Sequence, residues 1–290
     1  MCLFSAHTQE KGGGNMHLPK NILIFGVSGE YGRFWRRFFK DRGYNVRGVE
    51  RNTKIASRKR LVAWADVIIF SVPSWNTVRV IEEVLPFSEK RQLWINTASI
   101  QTPGIEALKR SHAEYASFRV MGSVPTDKTL KDRKVAVCSE EGLESYEKWF
   151  SFILHDTEAK LVRVDSEKLD RFTQVITLLN RLALLVQATA IASFGLDPKE
   201  FLTLGTTLFD DQFGTVSRFL LQNDDLDASL LGGEEAVVPM KILLQSCLHL
   251  QCVLTENEGE GVKDLKKYLR GYFGERVLKE AVRRKYGKKK

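Results

Sequence analysis

The chain has 290 residues, 43% hydrophobic and 28% charged, so a packed core is expected rather than disorder. Its four cysteines form no C-x-x-C pair and no zinc-binding spacing, and we interpret them as reduced thiols of a cytoplasmic protein. The formal charge of +8 lies mainly in residues 276–290, which hold eight lysines and arginines and one acidic residue. Because no aromatic-studded basic sheet accompanies this run, we interpret it as a solvated basic tail rather than a nucleic-acid site.

Neither the N-terminus nor the most apolar stretch suggests membrane insertion. Residues 1–17 lack the basic-then-apolar order of a signal peptide and are expected to form a flexible lead-in. Residues 178–194 are the most apolar, but they include Asn180, Arg181 and Gln187. This composition favours a buried helix over a membrane span, and we expect neither a membrane nor a nucleic-acid partner.

Strands and helices alternate through the first half of the chain. Apolar runs predict strands at residues 21–25, 44–50, 67–72, 93–96, 118–121, 134–138 and 161–164. Helical patterns follow Gly32, run through Val78 and Ile81, and cover residues 144–154. This alternation predicts a doubly wound parallel α/β sheet, a Rossmann domain over residues 18–165.

Only helical patterns follow Asp165. Ser166 is the expected N-cap of a helix that runs to Gly195, a length typical of a domain junction or a dimer core. Further helices are expected at residues 199–204, 212–222, 236–254 and 261–285. The sequence therefore predicts an all-helical dimerisation and substrate domain over residues 166–275, before the basic tail at 276–290, and a homodimer as the assembled form.

A glycine loop separates the first strand from the first helix, with glycines at positions 26, 29 and 32. Glycine at such positions permits a tight turn, close approach to a pyrophosphate and packing of helix on strand, while the helix N-terminus attracts phosphates. Val27 stands where the usual G-x-G-x-x-G pattern has its first glycine. The residues predicted to contact a dinucleotide here are Gly26, Ser28, Gly29, Glu30, Tyr31 and Gly32, joined by Val72, Pro73 and Ser74 after the third strand.

An acidic residue closes the second strand. Glu50 follows Gly32 by 18 residues, where a carboxylate accepts both ribose hydroxyls of NAD. A carboxylate repels the 2′-phosphate of NADP, so Glu50 favours NAD as the cofactor. Arg51 beside it is the residue type that accommodates that phosphate, which leaves NADP open. No metal site is predicted.

With these features the sequence resembles the prephenate/arogenate dehydrogenase family of tyrosine biosynthesis. The resemblance covers nearly the whole chain after Leu18. Its segments are residues 26–46, residues 65–73, the Asn-Thr-Ala-Ser-Ile-Gln-Thr-Pro run at 96–103, the Leu169-Asp170 start of the long helix and the Asn180-Arg181 step. It implies a Rossmann domain with a dimerising helical domain, and a nicotinamide-dependent oxidative decarboxylation in which a histidine takes the substrate hydroxyl proton.

Several residues that the resemblance places in the active site differ from the family pattern. Met121 falls on or near the position of the proton-accepting histidine, in the segment at residues 119–127. Gln101 replaces the signature lysine and Asn96 the acidic residue before it. Leu169 and Arg181 stand where the family has two further histidines, and no substrate-carboxylate arginine is evident near residues 234–235. Ser99 is retained. We interpret His112, His155 and His249 as surface or packing residues.

Three hypotheses follow from this pattern. In the first, the protein is a dehydrogenase for a prephenate-type or altered substrate: Ser99 hydrogen-bonds the reacting hydroxyl, while Gln101 and Arg181 contact the ligand. Arg119 is a further carboxylate-binding candidate, although an ordinary strand-edge charge is the expectation for it. In the second, the protein is a catalytically silent NAD(H)-binding sensor or regulatory partner. In the third, it is a β-hydroxyacid or imine reductase, but those families depend on a lysine in the long helix, where this chain has Asn180 and Arg181.

Overall fold

The computed structural model describes residues 18–122, 129–131, 133–140, 143–222, 224–256 and 259–287. The predicted lead-in at residues 1–17 lies outside this part of the chain. Two compact units are present: the first ends at Ala236, and the second is Val237–Lys290.

A seven-stranded sheet forms the centre of the first unit within the described residues. Its strands are β1 (Asn21–Phe25), β2 (Asn45–Val49), β3 (Val67–Phe70), β4 (Leu93–Asn96), β5 (Glu114–Met121), β6 (Lys134–Ser139) and β7 (Lys160–Arg163). Their order in the sheet is β2-β1-β3-β4-β5-β6-β7. The predicted Rossmann architecture is confirmed.

One pair of strands departs from the predicted parallel arrangement. β5 and β6 are antiparallel, with Val120 opposite Val135, whereas the neighbouring pairs are parallel. A parallel connection needs a crossover, usually a helix, and no helix lies between these strands among the described residues. The chain therefore turns back directly from β5 into β6.

Helices cover both faces of the sheet. They are α1 (Glu30–Asp41), α2 (Ile55–Trp64), α3 (Ser74–Val84) with a 3₁₀ turn at Leu85–Phe87, α4 (Thr102–Leu108) and α5 (Glu147–Asp156). On one face, α1 and α5 bury Trp35, Phe38 and Trp149 against the sheet. On the other, α2, α3 and α4 bury a second apolar cluster that includes Ile81 and Trp94.

The long helix after the sheet continues the first unit. It comprises α6 (Ser166–Thr173), a π-helical turn (Gln174–Leu179) and α7 (Asn180–Ser193). Its N-cap is Asp165 rather than the predicted Ser166, because the Asp165 carboxylate accepts the Lys168 N–H at 2.9 Å. Leu169 and Thr173 are buried against the sheet domain, so the compact unit extends past the predicted boundary at residue 165.

Shorter helices complete the first unit after α7. They are α8 (Phe201–Leu204), α9 (Thr207–Leu220), α10 (Asp224–Leu231) and a 3₁₀ turn at Glu234–Ala236.

The apolar stretch at residues 178–194 is not the buried helix that its composition predicted. Leu178 is buried, but no residue of α7 is. The segments Ser166–Ser193 and Glu234–Thr255 are long and apolar enough to cross a membrane by length and composition, and each has only 6% of its most apolar window buried. Large apolar side chains of both segments, such as Val186 and Leu244, therefore remain exposed.

Helices also form the second unit: α11 (Val237–Glu256), α12 (Glu260–Phe273) and α13 (Glu275–Tyr286). The predicted basic tail is thus helical up to Tyr286, and residues 288–290 lie outside the described chain. Pairs of opposite charge four residues apart support this helix, with Glu275–Lys279 and Glu280–Arg284 both at 2.8 Å.

Candidate functional site

Steric crowding explains the glycines of the loop between β1 and α1. Gly26 has a φ of +76°, and a Cβ there would collide with the Ser71 carbonyl oxygen. A Cβ on Gly32 would collide with the carbonyl oxygen of Gly26. Val27 is accommodated because Gly48 on β2 lies against it, where any side chain would strike the valine. Sequence reasoning missed Gly48, which explains how a valine replaces the usual first glycine.

The loop forms one wall of a cleft at the carboxyl edge of the sheet. Phe25 pairs with Phe70 and Phe70 with Asn96, so the loops after β1, β3 and β4 meet at this edge. Because α1 and α3 leave on opposite faces, a crevice opens between them, where doubly wound sheets bind ligands. This first cleft, of about 270 Å³, is lined by Ser28, Gly29, Glu30, Tyr31, Arg33, Ser71, Val72, Pro73, Ser74, Thr97, Ala98, Ser99 and Leu230.

Glu50 is held against the glycine loop. The Ser28 N–H donates to one of its carboxylate oxygens at 2.8 Å and the Ser28 hydroxyl to the other at 2.9 Å. Glu50, Arg51, Asn52 and Ser28 line a common surface depression beside the first cleft. Glu50, predicted to accept the ribose hydroxyls of NAD, and Arg51, of the type that accommodates the 2′-phosphate of NADP, therefore line the same depression.

Arg33 is a cleft residue that the sequence did not single out. Its guanidinium donates to the Ser28 carbonyl oxygen, and it lines the first cleft with the loop. The sequence did contain a signal for this role: Arg33 follows the last glycine of the loop directly and lies on the exposed side of the first turn of α1.

A second cleft, of about 540 Å³, opens next to the first. The two share Glu30, Tyr31, Ser99 and Leu230. The rest of its wall consists of residues from β5, the long helix and α9: Arg119, Val120, Met121, Gly122, Ile176, Thr177, Asn180, Arg181, Leu184, Thr215, Arg218, Phe219 and Gln222. The two clefts therefore adjoin at these four residues.

Three arginines make the second cleft electropositive. Arg119 is only 7% exposed and donates to the hydroxyls of Thr173 and Thr177, the latter at 3.1 Å. Burial lowers its pKa, an effect opposed by Tyr31 and Asp170. The expectation of an ordinary strand-edge charge is therefore wrong, since this guanidinium is buried at the cleft wall. Arg181 pairs with Asp227, and burial lowers the pKa of Arg181. Arg218 is the third arginine in the wall of this cleft.

Ser99 and Gln101, both predicted ligand contacts, occupy different environments. Ser99 lines both clefts, and its N–H donates to the Ser74 hydroxyl at 3.0 Å. Gln101 is fully buried; its side chain donates to the Ala98 carbonyl oxygen and accepts the Ser117 hydroxyl. The structure thus places Gln101 behind the cleft wall, which corrects its assignment as a ligand contact.

Asp170 connects the long helix to this wall. Its carboxylate accepts the N–H groups of Gln101 at 2.7 Å and Thr102 at 2.8 Å, at the start of α4. Since α4 follows directly on the loop that carries Ser99, this contact fixes the loop relative to the long helix.

Tyr31 is the phenol at the border between the clefts. Its hydroxyl donates to the Gly122 carbonyl oxygen at 2.7 Å. Burial raises its pKa to about 12, while Arg133 and Arg119 lower it and Glu30 raises it further. Met121 lies beside this contact, and residues 123–127 of the same predicted segment lie outside the described chain.

Histidines and metal ligands are absent from this region among the described residues. His112, His155 and His249 line neither cleft. No group of His, Cys, Asp and Glu in the described chain suits a metal ion. Cys138 is half-buried, and burial raises the pKa of its thiol to about 12.

No protein-family model matches the chain. Among curated proteins it is 22% identical over 283 positions to a probable arogenate/prephenate dehydrogenase of Methanocaldococcus jannaschii, covering 90% of this chain and 62% of that protein. It is also 22% identical over 268 positions to the T-protein of Haemophilus influenzae, covering 90% of this chain and 70% of the relative. The chain therefore spans less than two thirds of the first relative.

Solved structures show the same fold. A prephenate dehydrogenase from Aquifex aeolicus, in complex with hydroxyphenyl propionate and NAD⁺, superposes with a TM-score of 0.63 at 14% identity, covering 90% of this chain and 99% of that one. The arogenate dehydrogenase of Synechocystis gives a TM-score of 0.60 at 16% identity, covering 88% and 98%. In sequence and in fold, this chain is similar to the prephenate and arogenate dehydrogenases.

Proposed function

We propose that the protein is a nicotinamide-dependent oxidoreductase of the prephenate/arogenate dehydrogenase type. The observation that carries this proposal is the meeting of the two clefts at Glu30, Tyr31, Ser99 and Leu230. A dinucleotide in the first cleft has its pyrophosphate at the N-terminus of α1, where free N–H groups and the helix dipole favour phosphate. The crowding at Gly26 and Gly32 supports this fit, because side chains there would displace the loop.

Glu50 supports NAD as the cofactor. Its carboxylate is oriented by Ser28 beside the first cleft, where it can accept ribose hydroxyls. Arg51 in the same depression keeps NADP as an alternative.

The ligand of the second cleft is proposed to carry a carboxylate. Arg119, Arg181 and Arg218 line that cleft, and guanidinium groups bind carboxylates in bidentate geometry. Ser99 lines both clefts, and we propose that it hydrogen-bonds a reacting hydroxyl. In line with the relatives, the proposed reaction is the oxidative decarboxylation of a prephenate-type cyclohexadienol or of an altered substrate of that class.

Turnover assays test this proposal directly. The protein is mixed with NAD or NADP and with prephenate, arogenate or 4-amino-4-deoxyprephenate, and formation of the reduced cofactor is followed by its absorbance. We expect turnover with at least one combination. Micromolar binding of NAD by calorimetry without any turnover would contradict the enzyme and favour the second candidate.

That second candidate is a catalytically silent NAD(H)-binding sensor or regulatory protein of the same fold. Met121 favours it, because a thioether accepts no proton and no histidine lines the clefts in the described chain. The dinucleotide site is common to both candidates, so dinucleotide binding is expected in either case.

We also propose a cytoplasmic homodimer without a membrane or nucleic-acid partner. The apolar faces of Ser166–Ser193 and Glu234–Thr255 are exposed within the chain, and a second copy can bury them.

A further inference from the structure

The border between the clefts carries a group that the proposed reaction does not use. The Tyr31 hydroxyl lies against Gly122, the residue after Met121, and its ring lines both clefts. A ligand oxygen entering the second cleft can replace the Gly122 carbonyl as the acceptor of this hydroxyl.

The wall of the second cleft combines apolar side chains, such as Val120, Met121 and Leu184, with several hydrogen-bond donors. Arg119, Arg181 and Arg218 contribute guanidinium groups, and Tyr31 and Ser99 contribute hydroxyls. Glu30 is the one carboxylate among the described lining residues. A wall of this kind fits a ligand rich in acceptor oxygens, namely a carboxylate together with a carbonyl.

The Tyr31 hydroxyl acts as a donor in the structure, because it donates to the Gly122 carbonyl oxygen at 2.7 Å at the border between the clefts. Burial raises its pKa to about 12, with Glu30 acting in the same direction and Arg133 and Arg119 against it. The phenol is therefore protonated near neutral pH, where it can give a proton but not take one. A dehydrogenation needs a proton acceptor at this place, whereas a carbonyl reduction needs a donor.

We propose that the second cleft reduces the carbonyl group of a carboxylate-bearing substrate, with Tyr31 as the proton donor. This inference rests on the dinucleotide site of the proposed function but not on its oxidative direction. A reduced nicotinamide supplies a hydride to the carbonyl carbon. Tyr31 gives its hydroxyl proton to the carbonyl oxygen as the C=O π bond breaks, the product is the hydroxy acid, and water returns a proton to the phenolate. The arginines hold the carboxylate.

Binding without reaction provides the first test. With NAD⁺, which has no hydride to donate, calorimetry compares phenylpyruvate with 3-phenylpropionate, which lacks the carbonyl. We expect the wild type to bind phenylpyruvate about three- to tenfold more tightly, the range for one added hydrogen bond. Tyr31→Phe should abolish this preference, while Tyr44→Phe, whose hydroxyl contacts Trp149 away from the clefts, should keep it. A preference that survives in Tyr31→Phe overturns the proposal.

Turnover with NADH or NADPH and a panel of 2-oxo acids, from pyruvate to phenylpyruvate, provides the second test. We expect consumption of reduced cofactor at a rate that changes little between about pH 6 and 9, because Tyr31 stays protonated. At saturating cofactor, Tyr31→Phe should lower this rate about 100-fold or more. A rate that falls with a pKa in that interval, or Glu30→Gln causing the loss instead of Tyr31→Phe, overturns the role of Tyr31.

The two proposals fail in distinguishable ways. Oxidation of a cyclohexadienol without reduction of any 2-oxo acid overturns this inference and leaves the proposed function standing. Reduction of a 2-oxo acid without oxidation of any cyclohexadienol overturns the proposed function and leaves this inference standing. Absence of dinucleotide binding overturns both.

Discussion

Val27 in the glycine loop and Gly48 on β2 show how two residues can compensate for each other. The valine takes the place of a loop glycine, and the missing side chain at Gly48 leaves room for it. Neither residue is informative alone, because they are 21 positions apart in the sequence and meet only through the parallel pairing of β1 and β2.

Gly48→Ala tests this pairing. The new Cβ would strike Val27, so we expect the glycine loop to shift, NAD affinity to fall about tenfold and the free energy of unfolding to drop by about 1–3 kcal/mol. Calorimetry and urea unfolding measure the two effects. Adding Val27→Gly should restore both, and Gly271→Ala, a helix position with open space around it, should change neither NAD affinity nor the loop. A Gly48→Ala protein with wild-type NAD affinity would refute the pairing.

Glu50→Ala tests the choice of cofactor. Loss of the carboxylate removes charge-assisted hydrogen bonds to the ribose, each contributing about 1.5–3 kcal/mol, so NAD should bind at least about tenfold more weakly. NADP should lose little, because the repulsion of its 2′-phosphate disappears at the same time. Calorimetric titrations with both cofactors give the ratio, and Glu89→Ala, an exposed carboxylate paired with Arg91, is the control. Equal losses for the two cofactors would contradict the preference for NAD.

The long helix determines the wall of the second cleft through its contacts with the sheet domain. Arg119 on β5 reaches Thr173 at the end of α6 and Thr177 in the π-helical turn. Such turns occur frequently at functional sites. Helical periodicity predicted that a helix exists here, but neither the π-turn nor its contact with Arg119 leaves a pattern in the sequence.

Asp170→Asn tests the link between this helix and α4. The amide retains one acceptor but loses the charge that caps two N–H groups, so we expect the free energy of unfolding to fall by about 1–2 kcal/mol. Urea denaturation gives this value, and Glu167→Gln in the first turn of the same helix should change stability by less than about 0.5 kcal/mol. Equal stabilities of the two variants would show that Asp170 does not anchor the loop.

At the scale of the whole molecule, the main question is what contacts the exposed apolar side chains of Ser166–Ser193 and Glu234–Thr255. Large exposed apolar patches on soluble proteins commonly mark interaction surfaces. A second copy, which we propose as the cover, would also explain why an apolar helix is left unburied by its own chain.

Light scattering after gel filtration tests the dimer. We expect a particle of twice the chain mass of 33.0 kDa, and Leu248→Glu on α11 should shift it towards the monomer because a buried charge opposes association. Leu18→Glu, an equally exposed position at the start of the sheet domain, should leave the mass unchanged. A wild-type monomer, or recovery of the protein in the membrane fraction of cells, would contradict this assembly.

The strands and the glycine loop could be predicted from the sequence alone, because they depend on residues that are close together in the chain. Apolar runs predicted the strands, most clearly β1, β3 and β4, because a parallel strand buried on both faces needs such a run. The glycines at 26 and 32 indicated the loop, because backbone sterics at a strand-to-helix turn act within a few residues.

Tertiary structure decided what depends on residues far apart in the chain. It turned β6 antiparallel, buried Gln101 behind the cleft wall, brought Arg119 to that wall and placed Tyr31 against Gly122. Each outcome is set by packing between segments separated by tens of residues, and no local pattern encodes such contacts. The sequence by itself therefore determined the fold class and the loop, whereas only the tertiary structure decided which side chains line the two clefts.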